Sequence, residues 1–300
     1  MITPEARRPE GVSHQNGLEQ SIDRYKQSDS FLALSENTRL AYTADLAQFQ
    51  KYCRTQNISE IRQIESENIR NWRYQLRQAG RTPATINRKR ENLSGFLNWA
   101  QVERIIPPDF TISLPKYEPV AKRQPRILSA EQVGSLISKA KNLRDASLIF
   151  IALATGATIT EIVNLNAEDI LRTGNGNITI RFNGSMHKVQ PRTLVVDKRI
   201  GDIITEYEKA NRLKPEDPLF RGYTTNRGRL RGRRLTRQAV NLILEGYASK
   251  IGIENLNPRM LQNTFIANFA GTRRELDAIL GRRKPEPARS TYSPRRLLKI

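Results

Sequence analysis

The sequence predicts a mainly α-helical protein of two domains, with a small antiparallel sheet set into the second. Three observations carry this expectation. Apolar residues recur at helical spacing through most of the chain, a proline-dense stretch separates two such regions, and one short segment near residue 180 alternates at period two. With 300 residues, the chain can fill two domains of ordinary size.

Residues 1–30 are polar, lack hydrophobic periodicity and read as a flexible N-terminal segment. A helical domain is expected over 31–115. Tyr42, Leu46, Phe49 and Cys53 share one face of a helix, and Ile69, Trp72 and Leu76 make a second stripe. Ile86, Leu93, Phe96, Leu97 and Ala100 make a third, entered through Thr82-Pro83, a cap followed by proline in the first turn. From Ile106 to Pro125 the chain carries Pro107, Pro108, Pro115, Pro119 and Pro125, a density that excludes a continuing helix. A linker over 116–127 is expected there. Its lysines could track a phosphate backbone or simply be solvated.

The second domain, 128–300, opens on a capping-box pattern, Ser129 to Gln132, followed by Val133, Leu136, Ile137 and Ala140 at helical spacing. Leu148 to Ala154 is an apolar run, read as a buried helix ending at Thr155-Gly156. Ile178, Ile180 and Phe182 alternate with polar residues and predict a strand. Asn183-Gly184 supplies a hairpin turn, and Thr193 to Val196 the returning strand. Everything after about residue 200 reads helical, with a flexible arginine-rich loop ahead of a helix starting near Thr236.

Charge narrows the function. Fifty Lys and Arg against thirty Asp and Glu give a formal +20, with a pI near 10.5. Such an excess suits a polyanionic partner, of which nucleic acid is the commonest; a solvated basic surface is the alternative. Arg221, Arg227, Arg229, Arg231, Arg233, Arg234 and Arg237 fall within seventeen positions that contain no acid, and are candidate DNA contacts. Arg70, Arg73 and Arg77 share a side of the second helix, and Arg88, Lys89 and Arg90 form a basic run on the third; solvated helix surface competes with DNA contact at both. One cysteine, Cys53, excludes an intramolecular disulfide and a four-cysteine zinc site, and two histidines leave little for a mechanism needing a pair. No metal or cofactor is expected. No apolar run is long enough for a membrane span and the N-terminus lacks a signal pattern, so a cytoplasmic location is the default expectation.

Five segments, taken in order, resemble the tyrosine recombinase, or phage integrase, family across roughly residues 31–295. They are NTRLAYTADLAQFQKYC from Asn37, TPATINRKRENLSGFLNWA from Thr82, ILSAEQVGSLI leading to ATGATITEIVNLNAEDI from Ala154, DPLFRGYTTNRGRLRGRRLTRQAVNLIL from Asp217, and LNPRMLQNTFIANFA from Leu256. The resemblance implies a helical core-binding domain followed by a catalytic-type domain, closing on duplex DNA like a clamp, with copies of the chain able to assemble on it. It also implies a metal-free phosphoryl transfer in which a tyrosine hydroxyl attacks a DNA phosphodiester. Two arginines then hold the non-bridging oxygens, a lysine protonates the leaving hydroxyl, and histidines assist.

Carried over position by position, this chain departs from that set. The family's Thr-Gly-x-Arg reads Thr155-Gly156-Ala157-Thr158, placing Thr158 at the first arginine. Ser185 stands at the hairpin lysine, with Lys188 three residues on. The His-x-x-Arg-His motif reads Arg259, Met260, Leu261, Gln262, Asn263, while the following Thr264-Phe265 is retained. Leu-Gly-His becomes Leu280-Gly281-Arg282. The nucleophile position is filled by Tyr292, one residue beyond the usual spacing and amid Pro285 and Pro287. Arginine cannot give up a proton, so neither Arg259 nor Arg282 can replace a histidine as acid or base, though either can hold a phosphate. The expectation is a DNA-binding protein of recombinase ancestry without strand cleavage. The alternatives are an active recombinase working through Tyr292, and an RNA- or protein-binding module on the same fold.

Overall fold

The structure, a computed structural model, describes residues 17–282 except 108, 111, 122, 123, 141, 174–176, 185–188 and 224–229, and not the side chains of Tyr223, Leu230 and Arg231. The chain divides into two units, Met1–Lys122 and Arg123–Ile300, a boundary inside the expected 116–127 linker.

The first unit is built from α1 (Leu18–Lys26), α2 (Asp29–Leu32), α3 (Glu36–Thr55), α4 (Ser66–Gln78) and α5 (Pro83–Val102). Polar caps set the starts: the Ser35 hydroxyl accepts the Thr38 N–H and the Thr82 hydroxyl that of Thr85. The stripes read from the sequence form one core, with Leu46, Phe49, Cys53, Ile69, Trp72, Leu76, Ile86, Leu93 and Phe96 all buried. The Phe49 and Trp72 rings meet edge-on, centroids 4.8 Å apart. Burial pushes the Cys53 thiol up to about 12, which keeps it protonated.

The expected flexible lead needs correction from Leu18 onward. There α1 buries Leu18, Ile22 and Tyr25, and the Tyr25 ring packs against Phe31, Phe96 and Trp99. A nine-residue helix has little stability of its own. Leu18, Ile22 and Tyr25 fall at i, i+4 and i+7, so the helical signal was present but only two turns long, and tertiary packing completes it.

The second unit contains α6 (Ala130–Lys139), α7 (Leu143–Thr155), α8 (Ile159–Asn164), β1 (Ile170–Arg172), β2 (Ile178–Phe182), β3 (Arg192–Val196), α9 (Lys198–Ala210), β4 (Arg221–Tyr223), β5 (Leu230–Arg234), α10 (Arg237–Ile251), α11 (Pro258–Ala267) and α12 (Arg273–Ile279). The apolar α7 is its axle: every residue from Arg144 to Thr155 is buried, with α9 and α11 packed against it. The sheet order is β1-β2-β3, all antiparallel, with Ile180 opposite both Ile170 and Leu194.

Gly184 adopts a left-handed φ of 73°, as a turn requires, and the returning strand pairs over Arg192–Val196, one residue longer than the expected Thr193 to Val196. One further expectation changes. The arginine-rich stretch after residue 200 is not wholly a helix lead-in. β4 and β5 pair antiparallel, with a register shift between Arg221 and Tyr223. Strand preference depends on packing context more than on composition, and Arg-Gly repeats conceal it. No helix among the described residues is long and apolar enough to cross a membrane.

Candidate functional site

Among the described residues, Thr158, Arg259 and Gln262 lie around the C-terminal end of α7. Gly156 ends that helix with φ 61°, and a Cβ there would lie 2.2 Å from the Phe265 ring of α11 and 3.0 Å from Leu280. Only glycine permits this approach. α11 is thereby seated so that Gln262 Nε2 donates to the Gly156 carbonyl at 2.8 Å. The other end of the same amide, Oε1, accepts from the Arg259 guanidinium at 2.8 Å. Gln262 is buried, neutral and bonded at both ends. Thr264, next along, is also committed to the fold, donating to the Met260 carbonyl at 2.7 Å and accepting the Leu128 N–H at 2.8 Å.

Thr158 is the N-cap of α8. It shares a capping box with Glu161, whose Oε2 accepts both the Thr158 N–H and its hydroxyl at 2.8 Å. The remaining oxygen of Glu161 is ion-paired with Arg192 of β3. Arg192 also donates to the Ile279 carbonyl and lies over the Phe182 ring, 4.7 Å from its centroid. With 2% of its side chain exposed, this guanidinium cannot reach a ligand in solution. Sequence reasoning missed both partners. The Thr-x-x-Glu spacing was a usable signal for Glu161, but a lone arginine in a strand carried none.

Arg282 is exposed just past α12 and pairs loosely with Asp277 at 3.4 Å. Among the described residues, the exposed cations at the family's motif positions are Arg259 and Arg282, whereas Thr158 and Gln262 are neutral. Ser185, Lys188 and Tyr292 lie outside the described residues, as do Arg227 and Arg229 and the side chain of Arg231.

Of the remaining arginines, Arg233 and Arg237 are exposed and available. Arg234 is engaged: it donates to the carbonyls of Val163 and Leu165 at 2.8 and 2.9 Å and to Asn166 Oδ1 at 2.6 Å. Burial pulls its pKa below the ordinary arginine value. It joins β5 to the end of α8.

Several basic residues of the first unit are also engaged within the fold. Lys89 is buried against Asp45 at 2.6 Å, and Arg88 reaches the other Asp45 oxygen at 2.7 Å. Lys89 thus neutralises an interior carboxylate. Arg73 and Arg77 both grip Glu118, while Arg70 is exposed and pairs weakly with Glu67 at 3.7 Å. Four cations that read as surface charge are thus held by acids distant in sequence.

Two matches now fit this geometry. Residues 126–282 match the phage integrase family, and residues 30–104 match the phage integrase N-terminal SAM-like domain. The chain belongs to the phage integrase family, the tyrosine recombinases. It is 30% identical over 257 residues to a Caldanaerobacter subterraneus subsp. tengcongensis protein assigned to the tyrosine recombinases, covering 82% of each chain. It is 29% identical over 261 residues to tyrosine recombinase XerC of a Roseiflexus species, covering 82% of this chain and 79% of that one. Its fold is similar to that of a lambda integrase dimer bound to a COC′ core site, with TM-score 0.67 and 13% identity, over 89% of this chain and 74% of that one. It also resembles the XerH site-specific recombinase bound to difH substrate, with TM-score 0.62 and 18% identity, over 88% of this chain and 78% of that one.

Proposed function

We propose that this chain binds duplex DNA as a tyrosine recombinase relative that does not cut it by the family's ordinary route. One observation carries the reading. Thr158 and Gln262, where the resemblance calls for the two phosphate-gripping arginines, are neutral and their polar atoms are taken up by the protein itself. The nearest internal arginine, Arg192, is buried and cancelled by Glu161. A pentacoordinate phosphorus transition state gathers negative charge on its oxygens, and losing even one preorganised donor costs about 10²–10³ in rate.

Binding needs none of these groups. The net charge of +20, the exposed Arg233 and Arg237, and the DNA-bound states of structurally similar recombinases support a duplex held mainly through its phosphates, in the cytoplasm.

A suicide substrate that traps covalent protein–DNA adducts tests the first half. No adduct is expected from the native chain or from Tyr292→Phe. An adduct formed by the native chain and lost in Tyr292→Phe would establish an active recombinase. For the second half, replacing Arg229, Arg231 and Arg233 with alanine is expected to weaken duplex binding and to flatten its log–log salt slope by about 0.9 for each phosphate no longer neutralised. Unchanged affinity and slope would remove this segment from the interface.

A further inference from the structure

The proline-dense stretch is not a free tether. Gln101 Nε2 donates to the Phe110 carbonyl, the Ser113 N–H donates to Ser66 Oγ, and Arg90 donates to the Pro115 carbonyl. The Arg90 guanidinium also lies 4.1 Å from the Tyr117 ring centroid. Asn87 then pairs with the backbone of Glu118 on both sides, accepting its N–H at 2.7 Å and donating to its carbonyl at 2.9 Å. The strap ends on a charge. Arg77 binds the Glu118 carboxylate through two nitrogens, at 3.0 and 2.8 Å, and Arg73 adds a third contact. On the far side, fixed partners resume at Arg126 and Leu128, with seven residues, 119–125, between Glu118 and Arg126.

The chemistry of this clasp is not specific to a carboxylate. A guanidinium fork takes a phosphate oxygen pair as readily as a carboxylate, and bidentate arginine is the preferred reader of both. Two cations face one anion, leaving the clasp net positive, and Lys116 adds to it. The carboxylate itself is covered, yet 49% of the Arg77 side chain faces solvent, which gives a competing anion a way in. Hydrogen bonds from Arg77 and then Arg73 hold the Glu118 carboxyl below the usual carboxylate range, so the plug stays ionised near neutrality.

We propose that Arg73 and Arg77 form a phosphodiester-binding fork that this chain keeps plugged with its own Glu118, so that binding a nucleic-acid backbone and releasing the linker strap are one event. The proposal rests on the duplex-binding reading. Engagement of a phosphate frees Glu118, and the strap behind it then peels from α4 and α5. The span between the last anchor on the first unit and the first on the second lengthens from seven residues (119–125) toward the eleven that follow Leu114, since Phe110, Ile112 and Leu114 stay packed on the first core, from about 25 Å to about 40 Å at full extension. The fork thus couples grip to reach.

The test compares native protein with Glu118→Gln, which keeps the side-chain volume while removing the charge. Two probes are used, a labelled duplex across a salt series and inorganic tripolyphosphate. Hydrogen exchange of the 112–121 backbone is followed in each case. Glu118→Gln is expected to bind duplex roughly tenfold more tightly at low salt, with a slope steeper by about 0.9–1.8 from the one or two arginines freed. In the native chain both probes should raise exchange at Glu118. Asn87→Ala, which loosens the strap without changing charge, should also tighten binding. If tripolyphosphate releases the strap but duplex neither binds nor releases it, the fork stands and the duplex reading falls. If neither probe changes exchange and Glu118→Gln binds duplex as the native chain does, the fork is overturned.

Discussion

Arg192→Met is expected to destabilise the second unit by about 3–5 kcal/mol, because it leaves a buried carboxylate without its cation. Glu161 is 9% exposed in its side chain and Arg192 2% exposed, so water cannot substitute for the lost partner. The variant also removes the donor to Ile279 O and the cation over Phe182, both of which tie β3 to its surroundings. The chain offers an internal control. Both tryptophans, Trp72 and Trp99, lie in the first unit. Denaturation followed by tryptophan fluorescence should therefore keep its midpoint, while the transition seen by far-UV circular dichroism splits, its second part moving to lower denaturant. Arg192→Met with Glu161→Gln should recover at least half of the loss, since the double variant buries no unpaired charge. An unmoved dichroism transition in the single variant would show that the pair contributes nothing to the fold.

Gly156→Ala is expected to cost about 3–5 kcal/mol in the same unit, from two sources that act together. A left-handed residue acquires a Cβ, and that Cβ would lie 2.2 Å from the Phe265 ring. The ring is fully buried and has no open space to retreat into. Either α7 unwinds at its end or α11 moves out, and in both cases the Gln262 amide loses its fixed distance to the Gly156 carbonyl. Phe265→Leu in the same chain should relieve the collision but not the backbone strain, recovering part of the stability. A Gly156→Ala protein as stable as the native chain would mean that α7 and α11 are not packed this closely.

The long helices were legible because their apolar positions repeat at 3.6 residues and carry large side chains: Phe49, Trp72 and Phe96 could only be core. α1 was less so, since its three apolar positions span only two turns and packing against α3 and α5 completes the helix. The β4–β5 pair escaped for a different reason. Glycine and arginine in alternation describe a loop as well as a strand, and only pairing across space decides.

For the site, the motif positions could be placed by resemblance, but which charges are free could not. Asp45 and Lys89 are 44 residues apart, and Arg77 and Glu118 are 41 apart. A local count of basic residues cannot know that each has a distant acid to meet. Arg73, Arg77, Lys89 and Arg234 all look like surface in the sequence, and all four have partners within the fold.

The capping box at the start of α8 bears on which side chains position 158 can accept. An arginine introduced at position 158 would strip that helix of its N-cap, a loss of about 0.5–2 kcal/mol. It would also set a further guanidinium-sized demand on Glu161, which already serves Arg192. Placing an arginine there by a single substitution is therefore uphill at the first step, before any benefit from a second or third change can be felt. What a capped helix confers in firmness it takes away in freedom to change.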